Sequence, residues 1–198
     1  MTRRQQTSRD DGTFRTAATT LSPVSEAQGP GLVLVGPPGA GKSTVGPLLA
    51  QRLGVDFTDV DELITARAGR SISDIFVTDG EAVFRRLEEA EVAAALAACK
   101  GVLAVGGGAV LSVQTRALLR RHRVVYLSVG VTEGVRRTGL STARPLLAGV
   151  NPRATFAALL TTRLPLYQEV ATVEVATDGR SPEEVVEEVL AAIGAVSP

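Results

Sequence analysis

The stretch Gly36-Pro37-Pro38-Gly39-Ala40-Gly41-Lys42-Ser43-Thr44 follows the apolar run Leu32-Val33-Leu34-Val35 and precedes the helix-like Leu48 to Leu53. A strand that runs through a G-x-x-x-x-G-K-[ST] loop into a helix is a phosphate-binding loop in its proper setting. Gly39 and Gly41 permit backbone angles that turn successive N–H groups inward around phosphates, and the helix N-terminus adds partial positive charge. Lys42 is spaced to reach the β- and γ-phosphates, and the Ser43 hydroxyl to ligate a magnesium ion between them. Gly39, Ala40, Gly41, Lys42, Ser43 and Thr44 are therefore the expected nucleotide contacts. A turn that merely joins strand to helix would not need Lys-Ser at this place. Gly46-Pro47 cuts against the pattern, because Pro47 inside the following helix removes a hydrogen bond to Ser43 and costs about 3 kcal/mol in a helix interior. A local distortion is expected there.

A nucleotide-binding loop alone leaves the partner open, and composition narrows it. The chain of 198 residues balances 21 Lys and Arg against 21 Asp and Glu, so no global field draws it to nucleic acid or to an anionic membrane. No apolar run reaches transmembrane length. The single cysteine, Cys99, rules out an internal disulfide, and the single histidine, His122, argues against a His/Cys zinc site or a Ser-His-Asp triad. A cytoplasmic monomer is expected. Residues 1–29 are rich in Thr, Ser, Gln and Arg with few large apolar side chains, and read as a disordered tail. Asp10 and Asp11 argue against a transit peptide. Residues 30–198 then form one domain.

From Gly31 onward short apolar runs alternate with helix-like segments, the pattern of an α/β domain with a mainly parallel sheet. Strands are predicted over Leu32 to Val35, Val55 to Thr58, Val102 to Val105, Val124 to Leu127 and Thr172 to Ala176. Capping boxes are predicted at Thr78-Asp79-Gly80-Glu81 and Ser181-Pro182-Glu183-Glu184, the second with Pro at the first helical position, and a weaker one at Ser71-Ile72-Ser73-Asp74. Glu183, Glu184, Glu187 and Glu188 read as a solvated face. His122, among Arg120, Arg121 and Arg123, is explained by cations near a helix C-terminus, and Cys99 by helix packing.

Four further stretches carry candidate chemistry. Asp59-Val60-Asp61 ends the second strand, where open α/β sheets keep their ligands, and in an extended segment this spacing puts both carboxylates on one face. One is suited to hold magnesium and the other to orient, or take a proton from, an attacking hydroxyl, while helix capping is the equally weighted alternative. Arg85 and Arg86 precede Glu88 and Glu89 by three to four positions, which by itself means a solvated, salt-bridged helix face. Gly106-Gly107-Gly108 directly follows a strand and lets backbone N–H groups approach a small polar ligand. That strand has no terminal acid, which returns the magnesium role to Asp59. Finally, Gly134 to Gln168 holds Arg136, Arg137, Arg144, Arg153 and Arg163 with no acidic residue, so these guanidinium groups want anionic partners. Within it, residues 138–151 are read as a lid whose closure excludes water and brings Arg144 to the transferred phosphoryl group. A nucleic-acid surface would need aromatic stacking platforms, which this region lacks.

Taken together, the phosphate loop, Asp59-Val60-Asp61, Phe84-Arg85-Arg86, Gly106-Gly107-Gly108, Arg144-Pro145-Leu146 and Arg163-Leu164-Pro165-Leu166-Tyr167 resemble the shikimate kinase family over Gly31 to Ile193. The resemblance implies ATP- and magnesium-dependent phosphoryl transfer to the 3-hydroxyl of shikimate, in aromatic amino-acid biosynthesis. It also implies a nucleoside-monophosphate-kinase-like three-layer α/β fold, a five-stranded parallel sheet in the order 2-3-1-4-5 flanked by helices. By that resemblance Asp61 holds the ring hydroxyls and is the candidate base, and Asp59 supports magnesium beside Ser43. Arg85 and Arg163 grip the shikimate carboxylate, with Gly106, Gly107 and Gly108 alongside and Gly107 donating from its backbone. Arg144 is then the lid arginine, Arg137 flanks the adenine and Arg180 sits at the nucleotide base. A gluconate-type kinase shares loop and lid and is the alternative within the class. A guanine-controlled switch is excluded, since the only asparagine, Asn151, is followed by proline.

Overall fold

The computed structural model describes residues 29–138 and 151–195. The predicted tail up to residue 28 and all of the predicted lid between Thr138 and Asn151, Arg144 included, lie outside the described residues.

The five predicted strands are present as β1 (Leu32–Val35), β2 (Phe57–Asp59), β3 (Val102–Ala104), β4 (Val124–Ser128) and β5 (Val173–Ala176). All neighbours pair in parallel, in the order β2-β3-β1-β4-β5. The central strand β1 is buried along its whole length, as a strand covered by helices on both faces must be. Its alternating side chains split the core in two. Val33 and Val35 face a cluster with Val60, Ile64, Phe84, Tyr126 and Tyr167. Leu32 and Leu34 face another with Leu49, Val125, Phe156 and Val189.

The helices are α1 (Lys42–Leu53), α2 (Val60–Ala68), α3 (Ile72–Thr78), α4 (Glu81–Ala98), α5 (Val113–Leu119), α6 (Val131–Thr138), α7 (Pro152–Val170) and α8 (Pro182–Ala195). Helix α1 runs through Pro47 without a break. The adjoining Gly46 has a clear reason: a Cβ there would overlap the Phe57 ring of β2. The Gly46-Pro47 pair thus sits where α1 lies close against the sheet, and the helix continues beyond it.

Two of the three predicted capping boxes form. Ser71 and Asp74 cap α3 reciprocally. Ser181 and Glu184 do the same for α8, at 2.7 and 3.2 Å, with Pro182 opening the helix. The third does not form. Helix α4 starts behind Gly80 at φ 83° with no side-chain cap, because Thr78 donates to the Asp74 carbonyl and Asp79 is held by Arg70. Of the acidic face on α8, Glu187 and Glu188 are paired with Arg52 and Arg180. His122 packs beside Gly29, and burial followed by the nearby Arg121 charge pushes its pKa down.

Candidate functional site

The carboxyl ends of β1, β2 and β3 meet at one edge of the sheet. Gly39 and Gly41 take φ of 77° and 90°, the left-handed angles that only glycine adopts without strain. Lys42 opens α1 and turns back over the loop, its Nζ donating to the carbonyls of Gly36 at 2.7 Å and Pro37 at 3.1 Å. The cavity in front of the loop, about 220 Å³, is lined by Lys42, Ser43, Thr44, Asp59, Asp61, Gly107 and Arg137 among others. Residues far apart in the chain thus share one opening.

The two aspartates do not lie on one face of a strand as expected. Asp59 ends β2, whereas Asp61 is already in the first turn of α2. Asp59 takes the capping role and also contacts the phosphate loop. Its Oδ1 caps α2 by accepting from the Asp61 N–H at 3.0 Å, and its Oδ2 accepts from the Ser43 hydroxyl at 2.8 Å. A serine hydroxyl and a carboxylate oxygen in contact, opening on a phosphate cavity, are hard oxygen donors of the sort magnesium takes when phosphates and water complete its octahedron. The pair fits that ion. Asp61 turns the other way, with Oδ1 against Gly106, where a Cβ would stand 2.9 Å away.

The glycine triplet owes its composition to crowding on this side. A Cβ at Gly106 would overlap the Glu88 carboxylate, and one at Gly108 would overlap the Arg85 guanidinium. Arg85 and Glu88 are only partly the solvated pair that their spacing implied. Arg85 bonds Glu81 at 3.0 Å and Glu88 at 2.6 Å, and its guanidinium lies 5.3 and 5.9 Å from the ring centres of Phe84 and Phe76. Glu88 is 3% exposed. Burial raises its pKa despite the adjacent Arg85, with the Asp61 charge pushing the same way and Arg163 opposing. Glu88 is thus a buried carboxylate facing both predicted carboxylate-binding arginines. Nothing in its spacing announced this, since the same i, i+3 pair on an open helix face looks identical.

Arg163 comes from α7 and is buried, its Nη1 donating to the Gly107 carbonyl at 3.0 Å. Arg85, Arg163 and the triplet therefore converge from α4, α7 and the loop after β3. A second cavity of about 340 Å³ opens beside Arg85, Glu88, Gly108 and Ser112.

On the opposite flank, Arg137 and Arg180 share a cavity of about 260 Å³ with Thr44, Thr177 and Pro182. Pro182 also lines this cavity, whereas its sequence position signals only a helix start. Arg137 is fixed by the Gly39 carbonyl at 3.2 Å and by Thr177 through its hydroxyl at 3.0 Å and its carbonyl at 2.7 Å. The expectation of unpaired arginines is corrected here. Arg136 and Arg137 both bond Glu133, one residue before the acid-free run, and those bonds hold the Glu133 carboxyl down to about 2, Arg136 acting most strongly.

A family model described as shikimate kinase matches residues 38–194. The shikimate kinase of Saccharopolyspora erythraea is 65% identical over 81% of this chain and 92% of its own length. That of Streptomyces coelicolor is 58% identical over 83% of this chain and 95% of its own. Among solved structures, the shikimate kinase from Acinetobacter baumannii in complex with shikimate superposes with a TM-score of 0.82. It is 37% identical, over 86% of this chain and 95% of that one.

Proposed function

The chain belongs to the shikimate kinase family and is an ATP-dependent kinase of shikimate, and from that premise we propose how its own residues divide the reaction. The phosphate loop from Gly39 to Thr44 cradles the nucleotide phosphates, with Lys42 leaving its two loop carbonyls to reach them. Arg137, Arg180 and Pro182 border the space for the base. Asp61, at the junction of the phosphate cavity and the glycine triplet, receives the 3-hydroxyl of shikimate, orients it and takes its proton as the phosphoryl group transfers. Arg85 and Arg163 hold the acceptor's carboxylate from two helices, beside Gly106, Gly107 and Gly108. Planar, bidentate recognition of this kind suits guanidinium groups.

Ser43 and Asp59 are the residues that would hold magnesium. When bound, that ion neutralises charge developing between the phosphates. Arg144, in the segment read as a lid, supplies positive charge to the transferred group. The protein is proposed to act in the cytoplasm as a monomer, without nucleic acid or membrane. No helix among the described residues is long and apolar enough to cross a membrane.

The observation that carries this reading is the contact of Ser43 with Asp59 at 2.8 Å, in the cavity that Asp61 and Gly107 also line. It joins a nucleotide loop to an acceptor site. The test is ADP release from ATP and magnesium with shikimate, gluconate or no acceptor. Release that depends on shikimate supports the reading, whereas equal, slow release in all three would overturn it. Arg144→Ala is expected to lower kcat more than it raises either KM, since the proposed contact forms in the transition state.

A further inference from the structure

Tyr167 closes the Arg163-to-Tyr167 stretch but has no role in the reaction as described so far. Its side chain is fully buried and stacks on Tyr126 with ring centres 5.0 Å apart. Its hydroxyl donates to the Gly107 carbonyl at 2.5 Å. Arg163, one turn earlier on α7, donates to the same oxygen at 3.0 Å.

That oxygen belongs to a turn with two possible forms. The Ala109 N–H donates to the Gly106 carbonyl at 3.0 Å, which closes a four-residue turn with Gly107 and Gly108 at its centre. Gly108 has φ −98° and ψ −10°, the third-position angles of a type I turn. A type II turn differs by a flip of the central peptide and needs positive φ at that position, which glycine adopts freely. Two adjacent glycines therefore leave the choice open locally. Because the peptide unit is planar, holding the Gly107 carbonyl also fixes the Gly108 N–H that opposes it. Arg163 is an unsteady holder, since it is also the group proposed to bind the acceptor's carboxylate.

We propose that Tyr167 is a positioning residue for acceptor binding: its hydroxyl locks the Gly106–Ala109 turn in the type I form, whether or not Arg163 is engaged. This rests on the reading that shikimate lies against the glycine triplet. Burial pushes the phenol's pKa well up, so the donor proton stays in place across the working pH range. The stack on Tyr126, which pairs in register with Val35 just before the phosphate loop, sets the depth of the hydroxyl.

The test is Tyr167→Phe, which keeps the ring and removes the donor. The shikimate KM is expected to rise about tenfold, the weight of one buried hydrogen bond, with kcat within about threefold and the ATP KM unchanged. The amide resonances of Gly107 and Gly108 are expected to shift or broaden in the full-length variant without ligand. Tyr126→Phe, which removes the other phenol of the stack, should leave the shikimate KM at its parent value. An unchanged shikimate KM in Tyr167→Phe, or equal rises for ATP and shikimate, would overturn the proposal. Arg85→Lys and Arg163→Lys separate the two ideas. If both leave the shikimate KM unmoved, the acceptor site itself is misplaced and the proposal falls with it. If they raise it while Tyr167→Phe does not, only the role of Tyr167 is wrong.

Discussion

Glu88 shows how much a single side chain's burial changes its meaning. On an open helix it would be worth a few tenths of a kcal/mol to Arg85, but here it is enclosed between Arg85, Arg163 and Asp61. Because its pKa in the folded protein lies above the ordinary 4.5, the folded state binds more protons than the unfolded one between those two values. The stabilisation this provides is fully present below the ordinary value and is lost as pH rises through the raised one. Glu88→Gln should remove that slope, seen as a difference between the melting-temperature profiles of variant and parent over acidic pH. Parallel profiles would show that Glu88 titrates alike in the folded and unfolded chain. Arg85→Ala and Arg163→Ala are expected to weaken shikimate binding by about 2 to 5 kcal/mol, since each also strands Glu88 beside one fewer cation. Titration calorimetry without nucleotide reads this directly. Lys42→Met should abolish turnover in a coupled assay while leaving shikimate binding intact, if Lys42 serves the phosphates as proposed.

At the level of elements, close approach accounts for features that local propensity would forbid. Helix α1 tolerates glycine and proline in succession because Gly46 lies on the Phe57 ring, and α6 meets α7 where Gly134 leaves room for Phe156. Gly46→Ala should cost about 1 to 3 kcal/mol by overpacking, although alanine is the better helix former. Chemical denaturation measures this, and a stabilised variant would show that the contact is not tight. Most elements were legible in the sequence. All five strands and the caps at Ser71 and Ser181 follow from short apolar runs and from hydroxyl–carboxylate spacing. The box at Thr78 failed because Arg70 and the end of α3 compete for the same side chains, and a local pattern does not show its competitors.

Across the whole molecule, the proposed site is assembled from several separate segments, so each ligand bound there would tie distant parts of the fold together. Any ligand that binds only the folded state stabilises it by RT ln(1 + [L]/Kd), about 2.7 kcal/mol at a hundredfold excess over Kd. ATP with magnesium and shikimate should therefore each raise the melting temperature. A shift from shikimate that survives in Lys42→Met but vanishes in Arg163→Ala would map the two subsites onto the two flanks described.

The features that could be read directly along the chain are those whose partners are near neighbours in it. The phosphate loop, the strand–helix alternation and the glycine triplet are of this kind, because backbone geometry and hydrogen-bond spacing act over a few residues. Family resemblance then carried Asp61, Arg85 and Arg163 to the acceptor. Other assignments depend on contacts between distant segments. Asp59 could be given both a helix cap and the Ser43 hydroxyl only once β2 lay beside the phosphate loop. Arg137 lost its apparent freedom to Glu133 and Thr177, and Tyr167 gained its carbonyl from a loop 60 residues away. Burial decides these cases: it turns an ordinary charge or hydroxyl into one that must be satisfied, and burial is created only when α4, α7 and the sheet close on one another.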